Sequence, residues 1–233
     1  MKAQFSLTFL LLTLVFCVCL IVSNLMEIKV VDLGFVTVTA GMAVFPVSYV
    51  INDCIVEIYG FRRARLVIWL GFAMNLLVSL LLQIGILLPG SSEWTGQESM
   101  EMLFGAVPRI FVASFTAFIC GSMVNAYVMS RMKRGASVRE RGSIKSFSLR
   151  AVVSTLWGES VDSAIFFPIA FAGVLSWPLI LKLMITQAFL KTMYEIIILP
   201  VTVKAVARIR RIEGGDVTDS DDVSYKWWRI KEV

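Results

Sequence analysis

The sequence contains no histidine. This absence excludes catalysis by imidazole, histidine metal ligands and proton relays that pass through histidine. Charge is also scarce: charged residues make up 17% of the 233 residues, while hydrophobic residues make up 58%. Because a soluble domain carries roughly 25% charged residues, this deficit favours a protein that crosses a membrane several times.

The sequence contains few cysteines, and their spacing matches neither a zinc site nor a redox motif. The four cysteines, Cys17, Cys19, Cys54 and Cys120, each lie in an apolar segment. Without zinc-like or redox spacing they are interpreted as small hydrophobic residues. The sequence also has no phosphate-binding glycine-rich loop, and Asp53 and Glu57 alone are too few carboxylates for the aspartate-rich metal cluster of an intramembrane enzyme such as a lipid phosphotransferase. Such an enzyme is therefore disfavoured. We therefore predict no catalytic residue, no metal site and no cofactor.

Long apolar runs are what the sequence has instead. About 20 apolar residues suffice to cross a bilayer, and runs of this length occur at residues 5–24, 39–60, 64–88, 107–130, 147–174 and 177–204. The first run lacks an Ala-x-Ala-like cleavage site, which favours an uncleaved first helix over a secretory signal. These runs predict an all-α polytopic membrane protein with six transmembrane helices.

Basic residues cluster at the ends of the apolar runs. The pI of about 9.1 therefore indicates membrane topology and not nucleic-acid binding. With six spans, fifteen lysines and arginines fall on the side of both termini and two fall on the other side. The asymmetry predicts cytoplasmic termini (N-in/C-in), a transmembrane domain over residues 1–212 and a mostly disordered cytoplasmic tail over residues 213–233.

Charged residues also lie inside the predicted fifth and sixth spans. Glu159 and Asp162 are three residues apart, and Gln187, Lys191 and Glu195 follow at intervals of four. One acid at the centre of a membrane helix costs about 2.5–3.5 kcal/mol, so these groups need a partner, a ligand or water. Lys191 could pair with Glu195 on its own helix, or with Glu159 or Asp162 across the helix interface.

The second and third spans carry further polar residues. Asp53 lies deep in the second span, four residues before Glu57, and Asn75 lies in the third. Asn75 could simply form a hydrogen bond between helices, and Glu57 could pair with a nearby arginine. The convergence of polar groups on four of six spans predicts a polar site inside the membrane, which is typical of transporters.

Three stretches of sequence are similar to a known family. AGMAVFPVSYVINDCIVEIYGFRRARLVIWLGF, VPRIFVASFTAFICG and STLWGESVDSAIFFPIAFAG resemble the queuosine-precursor transporter family (the YhhQ family). The resemblance covers the second to fifth helices and, more loosely, the sixth, but not the tail. It implies a six-helix protein of the bacterial inner (cytoplasmic) membrane whose fold is related to the substrate-binding components (S-components) of vitamin ECF transporters.

The resemblance also implies import of 7-deazaguanine bases for tRNA modification, such as the 7-cyano and 7-aminomethyl bases or queuine. For such a ligand, Glu159 or Asp162 would accept hydrogen bonds from the guanine-like edge as a carboxylate. Donors to the ring would come from Asn75, Gln187 and Lys191. Trp157 or Phe45 would stack on the ring, and Asp53 or Glu195 would meet a cationic side arm.

A vitamin-binding S-component that works with an energy-coupling ATPase is the alternative. Many such components carry an Ala-x-x-x-Ala docking motif on their first helix, and FSLTFLLLTLVFCVCLIVS lacks it. A self-sufficient carrier is therefore favoured, with a small nucleobase-like substrate and membrane lipid as partners. A homodimer is compatible with six helices that carry polar edges, and the preferred base and the driving force are left open.

Overall fold

A computed structural model describes residues 5–34, 36–135 and 144–213 of the chain. In order, the elements are helix α1 (Leu7–Met26), strands β1 (Val30–Asp32) and β2 (Thr37–Thr39), a 3-10 helix (Ala40–Ala43), and helices α2 (Phe45–Leu87), α3 (Gln97–Phe104), α4 (Val107–Gly135), α5 (Ile144–Phe171) and α6 (Trp177–Glu213). Most of the described chain is helical, as predicted. The predicted tail falls outside the described residues from residue 214 onward.

A small hairpin adds to the predicted all-α architecture. Strands β1 and β2 pair antiparallel, with Val31 opposite Val38. Their β-branched residues favour extended backbone, and the turn between them contains Gly34, whose φ of 84° suits glycine. The hairpin leads directly into the 3-10 helix, so the predicted span 39–60 begins with a 3-10 helix and is α-helical from Phe45 onward.

Three helical segments of the described chain are long and apolar enough to cross a membrane: Leu7–Met26, Arg62–Leu87 and Gln97–Asn125. They correspond to the first, third and fourth predicted spans. The helices α5 and α6 carry the acidic and basic residues noted above, which make them less apolar. The count of six spans and the orientation of the termini remain predictions.

Helix α2 contains the boundary predicted between the second and third spans. The helical backbone is interrupted at Gly60, which has φ 81° and ψ 171°. Glycine adopts these backbone angles without a steric clash, because it has no Cβ atom, whereas other residues would be strained there. Helix α2 begins with Phe45, and Pro46 lies in its first turn, a position where proline has no hydrogen bond to lose.

Apolar side chains form two buried clusters. The first joins α1 to both halves of α2 and includes Phe16, Tyr59 and Phe72. The second joins α4, α5 and the start of α6, and includes Phe167 and Leu183. Each cluster holds its own helices together, and the space between the two clusters is where a cavity can form.

Polar contacts connect distant helix ends. Arg109, in the first turn of α4, donates hydrogen bonds to the carbonyl oxygens of Ile169 and Ala172 at the end of α5. Those carbonyls lie where a helix leaves acceptors unsatisfied. Glu57 forms an ion pair with Arg210 of α6, at 3.3 Å, and so bridges two helices that are distant in sequence.

Helices α4 and α5 approach closely where Gly121 faces Gly158. A Cβ atom added to Gly158 would lie 2.8 Å from Cβ of Asn125 and 3.0 Å from the carbonyl oxygen of Gly121. Small residues of this kind allow helix backbones to pack tightly in membranes. Gly158 directly precedes Glu159, so this contact sets the position of the acidic residues on α5.

Replacing Gly158 with alanine is expected to destabilise the protein by about 1–3 kcal/mol, because the added methyl group overpacks the contact between α4 and α5. The measurement is the thermal unfolding midpoint of purified protein in detergent. The matched control is Gly85→Ala, where the added Cβ would meet only the flexible end of Met100. The midpoint of the control should be unchanged or slightly raised, since alanine favours helix; equal midpoints for both variants would contradict the assigned role of Gly158.

Candidate functional site

A cavity lies between the two hydrophobic clusters. The space that it encloses is about 720 Å³, part of which is continuous with solvent. Its apolar lining consists of Phe16, Leu20, Phe45, Ile68, Phe72, Phe118, Phe166 and Phe167. Its polar lining consists of Asn24, Glu27, Ser48, Asn52, Ser114, Asp162, Gln187 and Lys191. Flat aromatic walls with a few polar groups suit a planar heterocycle.

Lys191 of α6 is paired with the acids of α5. Its Nζ atom lies 2.8 Å from Oδ2 of Asp162 and 3.3 Å from Oε2 of Glu159. The three side chains are between 11% and 16% exposed. Of the pairings that the sequence left open, the structure shows the one across the helix interface.

Phe45 brings an aromatic face to this cluster. Nζ of Lys191 lies 4.5 Å from the centroid of the Phe45 ring, which is within the range of a cation–π interaction. Phe45 is the first residue of α2, so the start of that helix places the ring beside the charged residues. A ligand ring in the cavity would meet the same aromatic wall.

Gln187 connects α6 to the hairpin. It is fully buried and donates a hydrogen bond from Nε2 to Oγ1 of Thr39, which is also buried. Gln187 lies one helical turn before Lys191, so both side chains face the cavity. Sequence patterning predicted the Gln187 and Lys191 stripe but not the hairpin contact.

Five of the nine predicted site residues are not among those lining the cavity. Trp157 is exposed on α5, and Asn75 is fully buried in α2. Glu195 accepts a hydrogen bond from Thr155 at 3.3 Å and interacts electrostatically with Asp53 and Glu159. Glu159 forms an ion pair with the lining residue Lys191, and Asp53 follows the lining residue Asn52. Their roles as ligands stay predictions.

Five polar lining residues were not among the predicted site residues: Asn24, Glu27, Ser48, Asn52 and Ser114. Glu27 comes directly after an apolar run, so it resembled an ordinary acid in an external loop. Asn24 and Glu27 are 3% and 8% exposed. Their spacing of three residues at the end of α1 is the one signal that could have identified them.

Glu27 is held against the 3-10 helix. A Cβ atom added to Gly41 would lie 2.8 Å from Cδ of Glu27, so only glycine leaves room for the carboxylate. Burial raises the pKa of Glu27 to about 7, although a hydrogen bond with Thr39 and the charge of Lys191 oppose the rise. The charges of Lys191, Asp162 and Glu27 thus interact across one cavity. Within the described ranges, no group of three or more potential ligands could hold a metal ion.

Comparisons with known proteins cover most of this region. A family model described as "Putative vitamin uptake transporter" matches residues 39–205. This range contains α2 to α5 and most of α6. It also contains the four predicted site residues that line the cavity, Phe45, Asp162, Gln187 and Lys191. It does not include Asn24 or Glu27.

Three curated proteins are similar to the chain. A "Probable queuosine precursor transporter" from Bacillus subtilis is 32% identical over 180 residues, which is 76% of this chain and 76% of that protein. The "Queuosine precursor transporter" of Escherichia coli is 31% identical over 147 residues, or 63% of this chain and 61% of its own length. A Haemophilus influenzae protein with the same name as the Bacillus subtilis one is 29% identical over 133 residues, or 57% and 52%. No solved structure matches the chain.

Proposed function

The chain belongs to the queuosine-precursor transporter family, and on this premise we propose that it imports 7-deazaguanine bases through the cavity between its helices. Family membership makes the protein a membrane transporter of a small molecule and not an enzyme. The proposed substrates are the 7-cyano and 7-aminomethyl bases and queuine, which the cell would use for tRNA modification. The proposed arrangement is six spans in the bacterial inner membrane, with both termini in the cytoplasm.

The buried cluster of Lys191, Asp162 and Glu159 is the observation that carries the proposal. A structural ion pair would not require an adjoining cavity, yet Lys191 and Asp162 both line one. In the cavity, charged groups give strong and oriented hydrogen bonds to a polar ligand. The aromatic residues Phe45, Phe166 and Phe167 supply apolar faces for its ring.

The balance of charge supports a ligand with a cationic side arm. Glu27, Glu159 and Asp162 together place three carboxyl groups around the single ammonium group of Lys191. A 7-aminomethyl group or the secondary amine of queuine would bring a second positive charge to this cluster. An uncharged 7-cyano group would not, so we expect the aminomethyl base to be taken up with the higher affinity.

Uptake of labelled 7-aminomethyl-7-deazaguanine tests the proposal in cells that lack their own importer and cannot synthesise this base, but that retain the later steps of queuosine formation. Queuosine should appear in the tRNA of these cells only when the chain is expressed. Absence of uptake, with the protein present in the membrane, would overturn the assignment of substrate.

Asp162→Asn is expected to reduce this uptake by at least about tenfold, because the hydrogen bond to Lys191 would lose its charged acceptor. The measurement is the initial rate of uptake, normalised to the amount of protein in the membrane. The matched control is Asp32→Asn, on the exposed end of β1, which should transport normally. Normal transport by Asp162→Asn at normal abundance would remove Asp162 from the proposed site.

The S-component alternative makes a different prediction about partners. The matching family model is described as a "Putative vitamin uptake transporter". The second candidate function is therefore a vitamin-binding component that works with an energy-coupling complex. Purification of the chain together with ATPase subunits, and uptake that depends on them, would favour this candidate over a self-sufficient carrier.

A further inference from the structure

Two buried polar side chains at the end of α1 have unused hydrogen-bonding atoms. Among the residues that the structure describes, Nδ2 of Asn24 and Oε2 of Glu27 have no hydrogen-bond partner. Both side chains are more than nine-tenths buried, and both line the cavity. Burying polar atoms without hydrogen-bond partners costs free energy. A ligand that formed hydrogen bonds with both atoms would remove this cost and would therefore bind more tightly.

The polar groups on the opposite wall are already engaged. Asp162 and Glu159 are paired with Lys191, and Nε2 of Gln187 donates to Thr39. A neutral ring edge that approached these carboxylates would share them with the ammonium group of Lys191. Among the described residues that line the cavity, the unpartnered polar atoms belong instead to Asn24 and Glu27 at the end of α1 and to Asn52 of α2.

The local structure fixes the direction of the Glu27 side chain. Asn24 and Glu27 are three residues apart and lie on the same face of the helix. The carboxylate of Glu27 packs against Gly41, whose carbonyl oxygen accepts a hydrogen bond from Ser23 at 3.3 Å. The end of α1 and the 3-10 helix are thereby held together, so Glu27 is oriented before any ligand arrives.

The chemistry of this pair is complementary to one edge of a guanine-like base. That edge presents a carbonyl acceptor, a ring N–H donor and an exocyclic amino donor, in that order. A carboxylate accepts two parallel N–H donors, and the amide nitrogen of a neighbouring asparagine can donate to the carbonyl. Asn24 offers one unpartnered donor, and Glu27 offers the unpartnered Oε2 beside an oxygen that already accepts from Thr39 and has a second lone pair.

We propose that Glu27 and Asn24 form the subsite that reads the guanine-like edge of the substrate. In this arrangement Glu27 accepts from the ring N–H and the amino group, and Asn24 donates to the carbonyl. The substituent at position 7 then points towards Asp162, Glu159 and Lys191. The inference rests on the proposed function, and it moves recognition of the base edge from the acids of α5 to the end of α1.

The Glu27→Gln variant provides a test based on a change of specificity. Glutamine presents one acceptor and one donor, which match the N–H and the second carbonyl of 7-deazaxanthine but not the amino group of 7-deazaguanine. Binding of both compounds to purified full-length protein in detergent is measured by titration. The native protein should prefer 7-deazaguanine by at least about tenfold, and Glu27→Gln should reverse this preference.

Two further variants control for folding and for charge. Glu98→Gln, on exposed α3, makes the same chemical change outside the cavity and should keep the native preference. If Glu27→Gln does not fold, Asn24→Ala provides the second test with 2-amino-7-deazapurine, which lacks the carbonyl group and whose neighbouring ring nitrogen is an acceptor without a proton. The native protein should bind that analogue at least about a hundredfold more weakly than 7-deazaguanine, because two hydrogen bonds are lost. Asn24→Ala should narrow this difference by about tenfold, because it has already lost the hydrogen bond to the carbonyl.

The outcomes separate this inference from the proposed function. If the native protein binds 7-aminomethyl-7-deazaguanine but Glu27→Gln keeps the native preference, the inference is overturned and the function stands. An Asn24→Ala protein that keeps the native ratio of affinities for 7-deazaguanine and the analogue would likewise overturn it. If the native protein binds neither 7-aminomethyl-7-deazaguanine nor 7-deazaguanine, the proposed function is overturned, and the inference falls with it.

Discussion

Replacing Lys191 with methionine is expected to abolish uptake and to destabilise the protein by about 3–5 kcal/mol. Methionine has a similar length and favours helix, so the main change is the loss of the ammonium group. Asp162 and Glu159, which both lie within 3.3 Å of Nζ, would be left in a buried site without their cation. Removing one partner of a buried ion pair is far more costly than replacing all partners together. Uptake per folded molecule and the thermal midpoint in detergent are the two measurements.

The same helix offers a matched control for this variant. Lys182 is exposed and lies near the start of α6, so Lys182→Met removes a positive charge without uncovering buried acids. It should transport normally and unfold at the native midpoint. The triple variant Lys191→Met, Asp162→Asn, Glu159→Gln should recover most of the lost stability but not uptake. Normal uptake by Lys191→Met would contradict the placement of the substrate beside Lys191.

Replacing Phe45 with alanine is expected to raise the half-saturating concentration for uptake by about tenfold or more. Stacking of a base on an aromatic ring contributes roughly 1–3 kcal/mol, and the Phe45 ring lines the cavity beside Lys191. The variant also removes the cation–π contact, which would leave Lys191 less well positioned. The measurement is the concentration dependence of initial uptake rates for the labelled aminomethyl base.

Comparison with other variants separates stacking from simple packing. Phe45→Tyr keeps an aromatic face and should stay close to the native half-saturating concentration, whereas Phe45→Leu keeps apolar volume and should resemble alanine. Phe189, which is exposed on α6, provides the matched control, because Phe189→Ala removes a ring outside the cavity. If Phe45→Leu and Phe45→Tyr transport equally well, Phe45 does not stack on the substrate.

The residues of α5 and α6 show how far sequence reasoning reached into the site. Charges inside apolar runs are rare enough to identify, and their helical spacing placed Gln187 and Lys191 on one face. Two of the three alternatives for Lys191, the pairs with Glu159 and Asp162, occur together in the structure. The spacing alone could not choose among them, because the choice depends on how α5 and α6 pack against each other.

Glu27 and Asn24 show where sequence reasoning stopped. An acid just beyond an apolar run is usually solvated, and nothing in its local sequence distinguishes Glu27 from such a residue. It is buried because the hairpin and the 3-10 helix fold back against the end of α1, where Ser23 and Glu27 contact Gly41. That contact joins residues about fifteen positions apart, and it depends on the tertiary arrangement.

The sequence by itself determined that this is a helical membrane protein with charged groups among its apolar helices, and it pointed to the family. Composition and helical periodicity suffice for these conclusions, since hydrophobicity and spacing act locally along the chain. Only the tertiary structure decided which acids pair with Lys191, which polar atoms at the end of α1 stay unpaired, and where the cavity opens between the two clusters. Those features depend on the distances between side chains of different helices, and packing sets these distances.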